Sequence, residues 1–296
     1  MVTPTTSPVH LPLRGAFLMF VAAALVAATS MLAKVLGNEL AGDHLHPLQI
    51  SAGRFVFAFM SLCIVAPAMK LRFENTPWRD HFLRSLAGWL GVSCMFAAAT
   101  QMPLAEATAI SFLSPIATML LAIPLLGERV GKVRWSAAGI SLLGALILIR
   151  PGTSAFQVAA LLALLAALLM GLEAIIIKRL SGKERTIRIL FVNNAFGATL
   201  AVTAASFFWV TPSNDQWILL VALGLIMVTA QTFFILAMKC ADASYVIPFF
   251  YATLVFAAAY DFGIFDVVPE PLSILGACII IMGAVFLAFR ERQLKK

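Results

Sequence analysis

Apolar residues run along this chain in stretches separated by short polar, proline-bearing breaks. A helix needs about 20 apolar residues to cross the hydrocarbon core of a bilayer. On that scale the pattern predicts ten spans: 15–36, 47–69, 81–100, 104–126, 133–149, 157–177, 187–209, 216–238, 243–263 and 271–289. The breaks carry Pro47, Pro77, Pro103, Pro151 with Gly152, Pro212, Pro269 and Pro271, residues that end helices more readily than they continue them. All are short, leaving no room for a separate soluble domain.

The second half carries a degraded copy of the first. An offset of 136 residues pairs Gly88 with Gly224, Ser93 with Thr229, Ala105 with Ala241, Glu106 with Asp242, Thr108 with Ser244 and Gly127 with Gly263. The offset then slips by three and pairs Gly144 with Gly283. The expected units are residues 1–152 and 153–296, with five helices each. Five is odd, so the second unit enters the membrane from the opposite face. The expected fold is an all-α integral membrane protein of ten transmembrane helices in two inverted repeats, with a pathway where the halves meet.

Composition agrees, because a chain 61% hydrophobic and 12% charged has too little polar surface to wrap a soluble fold. The net charge of +7 does not point to nucleic acid, since the basic residues sit in short runs between apolar stretches. Of the 21 Lys and Arg, only Lys34, Arg54 and Arg150 fall off the side that carries the N-terminus, which places both termini in the cytoplasm. The first residues lack a basic region and cleavage site, so the first span is expected to remain as a helix. Cys63, Cys94, Cys240 and Cys278 stand alone, as reduced thiols with no metal role.

A few polar positions interrupt the spans. Pro115 and Pro248 fall near the middle of the fourth and ninth, where each removes a hydrogen bond and frees the carbonyl four residues back, at Ser111 and Ser244. A freed carbonyl can meet water or substrate at a protein-lined cavity, or be satisfied by a neighbouring hydroxyl. Thr108, Ser111, Pro115 and Thr118 share one helix face, and Ser244, Pro248 and Tyr251 form the matching face. These stripes suit either a pathway or hydrogen bonding between packed helices. Arg54 lies about 10 Å below the outer surface at 1.5 Å per residue, where an arginine costs at least about 2.5 kcal/mol. It either binds a substrate carboxylate or phosphate, or pairs with Glu106 or Asp261. Glu173 is either a site for a coupling proton or a salt-bridge partner of Lys178 or the inner loops. Glu106 and Asp242 read as helix caps. Trp89, Asn193, Asn194 and Gln231 line a cavity or pack between helices. Gly139, Gly144, Gly276 and Gly283 suit close helix contacts, within the chain or with a second copy in a homodimer.

No HExxH, GxSxG or phosphate-cradling glycine loop occurs. His44 and His46 belong to a solvated turn rather than a metal site. A catalytic set cannot be assembled, and no cofactor is expected.

The run PLAEATAISFLSPIATMLLAIPLLGERVGKVRWSAAGISLLGALILIRPG (103–152), with HPLQISAGRF (46–55) and Lys34, resembles the drug/metabolite transporter superfamily in its ten-helix EamA-type branch. The resemblance spans about residues 13–292. The second half departs from it, with Gly263-Ile264 where the first has Gly127-Glu128. The resemblance implies a central cavity lined by helices of both halves and movement of small metabolites across the bacterial inner (plasma) membrane, commonly outward. The leading expectation is a secondary transporter exporting amino acids or related compounds, with Arg54 and the two polar faces recognising the solute. The alternatives are an uptake permease for riboflavin or S-adenosylmethionine and, from another class, a membrane-embedded lipid-modifying enzyme. Expected partners are a small-molecule substrate and membrane lipid.

Overall fold

A computed structural model describes residues 11–37, 43, 45–68, 73, 76–99, 110–111, 113–128, 130–149, 158–265 and 271–293. The described residues are helical with no strand. In order they form α1 (Pro12–Gly37), α2 (Pro47–Val65), α3 (Trp78–Ala99), α4 (Ser114–Leu126), α5 (Lys132–Ile149), α6 (Val158–Ser181), α7 (Thr186–Ala205) and α8 (Asn214–Cys240). Then follow the short α9 (Ala243–Val246), a 3-10 stretch (Ile247–Tyr251), α10 (Ala252–Phe265) and α11 (Pro271–Gln293). Among the described residues, six segments are each long and apolar enough to cross a membrane: Pro12–Gly37, Pro47–Val65, Leu161–Ser181, Thr186–Phe208, Asn214–Cys240 and Ala243–Ile264. The chain is therefore a multi-pass membrane protein.

Helix ends follow local chemistry. Pro47 starts α2, where its missing N–H is no loss, and His46 before it accepts from Leu48 N–H at 3.3 Å. Ser213 and Gln216 form a reciprocal capping box at the start of α8. Gln216 also donates to Asp43 O at 2.6 Å. Gly127 ends α4 with φ +67°, a left-handed turn that glycine adopts without a Cβ clash. The turn lets Gly127 and Glu128 N–H reach Ile123 O and Ala122 O at 3.1 and 3.2 Å.

The most extensive helix pairings are α5 with α11, α3 with α6, α1 with α8, and α2 with α7. Further contacts join α2 to α8, α3 to α7, α4 to α6, and α1 to α10. Small residues set the closest approaches. A Cβ on Gly144 would lie 2.8 Å from Gly276 O, and one on Gly283 would lie 2.6 Å from Ser141 Oγ. These glycines of α5 and α11 thus serve packing within the chain, whereas a Cβ on Gly139 meets nothing within 4 Å.

Two expectations need correction. Pro115 lies in the first turn of α4 rather than mid-helix, because the helical backbone is interrupted at Leu113, whose N–H turns back to Ile110 O at 3.0 Å. Pro248 lies where the ninth stretch tightens into 3-10 geometry between α9 and α10. Both prolines therefore begin a new helical segment, the position where a missing N–H is tolerated. Residues 104–109 and 112 of the fourth predicted span, with Thr108 and Glu106, lie outside the described residues.

Candidate functional site: buried charges where the helices converge

Two charged side chains pair inside the protein, Arg84 and Glu173, and a third, Arg54, enters the bundle from α2. Arg54 follows Pro47 by seven residues and is half-buried. Its guanidinium carbon sits 4.3 Å from the centroid of the Phe55 ring, a cation–π geometry. The Phe55 ring presses on α7 at Gly197, where an added Cβ would stand 2.3 Å from Cδ1. Gly197 therefore admits the ring against which Arg54 rests.

Arg84 enters from α3 with its side chain 1% exposed. It donates from Nη1 to Ile189 O of α7 at 3.0 Å, and its Nε stands 3.8 Å from Glu173 Oε1. Arg84, one of the basic residues that the charge count assigns to the side of the N-terminus, is thus a buried residue of α3.

Glu173 enters from α6 and lies against Gly88, where a Cβ would come within 2.8 Å of the carboxylate. Its ion-pair partner is Arg84, with Arg54 also within electrostatic reach. Lys178, the expected partner, instead turns to the end of α8, where Nζ donates to Met238 O at 2.5 Å and to Ala241 O.

A polar seam continues from this cluster. Ser85 donates to Asn193 Oδ1 at 3.1 Å. Asn194 donates to Leu190 O at 2.8 Å and to Gln231 Oε1 of α8 at 3.4 Å. Trp89 follows Gly88 on α3 and is half-buried.

The remaining candidates stand apart. Ser111 is half-buried. Pro115 and Thr118 are buried, with Thr118 donating to Ser114 O at 2.9 Å while α4 packs against Gly171 of α6. Tyr251 is buried with Leu254 and Ile280, and Pro248 is buried beside it.

Ser244 belongs to a second cluster that joins distant parts of the chain. Glu128 Oε1 accepts from Ala243 N–H at 2.9 Å, and Oε2 accepts from Ser244 N–H at 3.1 Å and its hydroxyl at 2.6 Å. Arg134 donates to Ser244 Oγ at 2.8 Å and to Asp242 Oδ2 at 3.1 Å. Asp242 holds the N-cap position of α9, yet its side chain makes no cap bond and pairs with Arg134 instead. The caps on α9 come from Glu128, whose contact with a segment 115 residues on was not readable from its loop position.

The sequence profile of the EamA-like transporter family matches this chain twice, over residues 13–150 and 157–289. An S-adenosylmethionine uptake transporter of Rickettsia prowazekii is 29% identical over 90% of each chain. A riboflavin transporter of Rhizobium johnstonii is 33% identical over 81% of this chain and 79% of that one. A pseudopaline exporter of Pseudomonas aeruginosa is 28% identical over 70% and 73%. One crystal structure, 19% identical, superposes with a TM-score of 0.79 over 95% of this chain and 99% of its own, a likeness of fold.

Proposed function

Since the chain belongs to the EamA-like transporter family, and so is a transporter and not an enzyme, we propose that it exports small polar metabolites of the amino-acid class across the bacterial inner membrane. In this reading residues 1–152 and 153–296 are two inverted five-helix repeats that cross the membrane ten times, with both termini cytoplasmic. They expose the site alternately to the two sides.

The observation that carries the reading is the ion pair of Arg84 and Glu173 inside the protein, between α3 of the first half and α6 of the second, with the half-buried Arg54 on α2. Charge at that depth is costly unless it serves a pathway or a pair. The helix pairings support the repeat, because contacts across the halves have counterparts. The pair α1–α8 answers α3–α6, α2–α8 answers α3–α7, and α1–α10 answers α4–α6, while α2–α7 and α5–α11 answer themselves. Interruption of the chain near a proline in both the fourth and the ninth stretch, at Pro115 and at Pro248, supports it as well.

In this account Arg54 recognises an acidic group of the solute. Trp89, Asn194 and Gln231 extend the polar lining, and the faces of Thr108, Ser111, Pro115 and Thr118 and of Ser244, Pro248 and Tyr251 complete the route. A second reading, uptake of a cofactor-like metabolite, is favoured by relatives named for uptake of S-adenosylmethionine and for riboflavin. Counterflow in proteoliposomes with labelled amino acids, S-adenosylmethionine and riboflavin separates the two. Exchange of amino acids supports the first, and exchange of a cofactor alone replaces it with the second.

A further inference from the structure

The main apolar core among the described residues is one-sided. It draws on α1, α2 and α5 of the first half, and on α6 to α9 and the 3-10 stretch of the second. Met19, Leu180, Ile189, Met238, Tyr245 and Phe249 belong to it. In the topology proposed above, on which this inference rests, each of its buried residues lies in the cytoplasmic half of its helix. The short α9 sits inside this seal with all its residues buried. Gly15 of α1 lies so close that an added Cβ would stand 3.0 Å from Val246 Cγ1. Just beyond, Phe249 meets Phe20 of α1 edge-on, with centroids 5.7 Å apart. Helix α4 packs against α9 and the 3-10 stretch, whereas α10, which continues the same stretch outward, pairs with α1 and α11. Apolar contact closes this end, but it is non-directional and has no single point of release.

Hydrogen bonds across the halves supply that point. Glu128 accepts from Ala243 N–H, Ser244 N–H and Ser244 Oγ at 2.9, 3.1 and 2.6 Å. Arg134 donates to Ser244 Oγ and Asp242 Oδ2 at 2.8 and 3.1 Å. Bonds to charged groups are short and directional, and all of these converge on one turn. The Asp242 side chain is 39% exposed, so the clamp stands at the water-facing edge of the seal. An inverted repeat should set the same clamp on the outer side, yet the sequence does not repeat it. The offset of 136 puts Ile264 where Glu128 stands, and the slipped offset puts Ser273 where Arg134 stands. Ile264 has no acceptor to offer and is exposed.

We propose that Glu128 and Arg134 form a latch on a cytoplasmic gate, hooking the loop of the first half onto α9 of the second. The chain rests closed toward the cytoplasm, because the repeat does not duplicate the latch at the matching outer positions. Opening draws α9 away from the loop about the 3-10 stretch, where Pro248 interrupts the regular helix. The latch bonds exist in the closed state alone, so their loss shifts the equilibrium toward the open one.

The test places one reporter, Val246→Cys, in the full-length protein with Cys63, Cys94, Cys240 and Cys278 replaced by Ala. A membrane-impermeant maleimide is added to inside-out membrane vesicles, where it meets only the cytoplasmic face. Labelling is expected to be slow with the latch intact. It should be about tenfold faster in Glu128→Ala, the size of shift that follows loss of a charge-assisted hydrogen bond made in one of two states. Arg134→Gln should act in the same direction, and Glu128→Gln, which keeps one acceptor, should fall between. These two variants carry the test if Glu128→Ala does not fold. Ser181→Cys is the control, since Ser181 is buried toward the same face but bonds to Lys178 O rather than to the latch. Its labelling should be the same in every variant.

Rapid labelling of Val246→Cys with the latch intact would overturn the proposal, as would a rate that the variants leave unchanged. An equal rise at Ser181→Cys would overturn it too, because it reports general loosening. A rise seen only when the reagent meets the outer face, in spheroplasts, would reverse the topology and with it the cytoplasmic gate. If the latch fails while solute exchange in proteoliposomes persists, the transporter reading stands without it. A latch that behaves as expected in a protein exchanging no solute would sink the transporter reading instead.

Discussion

The carboxylate of Glu128, in the loop after α4, accepts both the N–H and the O–H of Ser244 at the start of α9. With Ala243 N–H it takes three donors from one helix start, and Arg134 ties the same turn through Ser244 and Asp242. The loop of one half thereby caps the broken helix of the other. In the proposed topology this junction lies on the cytoplasmic side, so that opening toward the cytoplasm separates the groups.

Replacing Glu128 with Ala leaves these donors without their acceptor, at about 1–3 kcal/mol for each buried group that stays unsatisfied. The expected outcome is a lower melting midpoint and faster maleimide labelling of a cysteine introduced at Ser244 in a cysteine-free background. Ser244→Ala should lower the midpoint less, because its backbone N–H keeps the contact. A Glu128→Ala protein as stable as the parent contradicts the capping role.

Gly224 and Gly88 are expected to differ sharply. A Cβ on Gly224 meets the backbone N of Ala58 at 2.8 Å, whereas one on Gly88 meets the movable end of Glu173. Gly224→Ala should reduce the yield of folded protein, since two helix backbones must part. Gly88→Ala should fold and change solute affinity. Size-exclusion profiles and binding curves of the pair check this.

Lys178→Met removes a charged donor from the end of α8, where it serves Met238 O and Ala241 O. Hydrogen bonds to charged groups contribute about 1.5–3 kcal/mol, so the variant should melt lower. Solute affinity should be unchanged, because Glu173 pairs with Arg84. A Lys178→Met variant with altered affinity at unchanged stability would return Lys178 to the site.

Much of this was legible in the residues themselves. Arg54 and Glu173 stand out because a charge inside a 20-residue apolar run has few structural excuses, and the structure pairs Glu173 with Arg84. Arg84 was hidden by its place near the end of a span, where a basic residue reads as an orientation signal; burial against α6 and α7 is a tertiary fact. The role of Glu128 was hidden because the second half has Ile264 at the matching position. Its partners lie in another segment, beyond any local spacing rule. Pro115 looked like a mid-helix kink because the apolar run continues through it, whereas the backbone breaks at Leu113.

The central claim is that this chain moves a small solute recognised by Arg54. The most direct measurement is counterflow of a labelled solute, chosen by thermal-shift screening, into proteoliposomes holding wild-type or Arg54→Ala protein. The account predicts exchange by the wild type and none by Arg54→Ala, with the variant folded and inserted to the same level. Wild-type exchange matched by Arg54→Ala would contradict it, as would an Arg54→Ala protein that fails to fold, which would make Arg54 a structural partner.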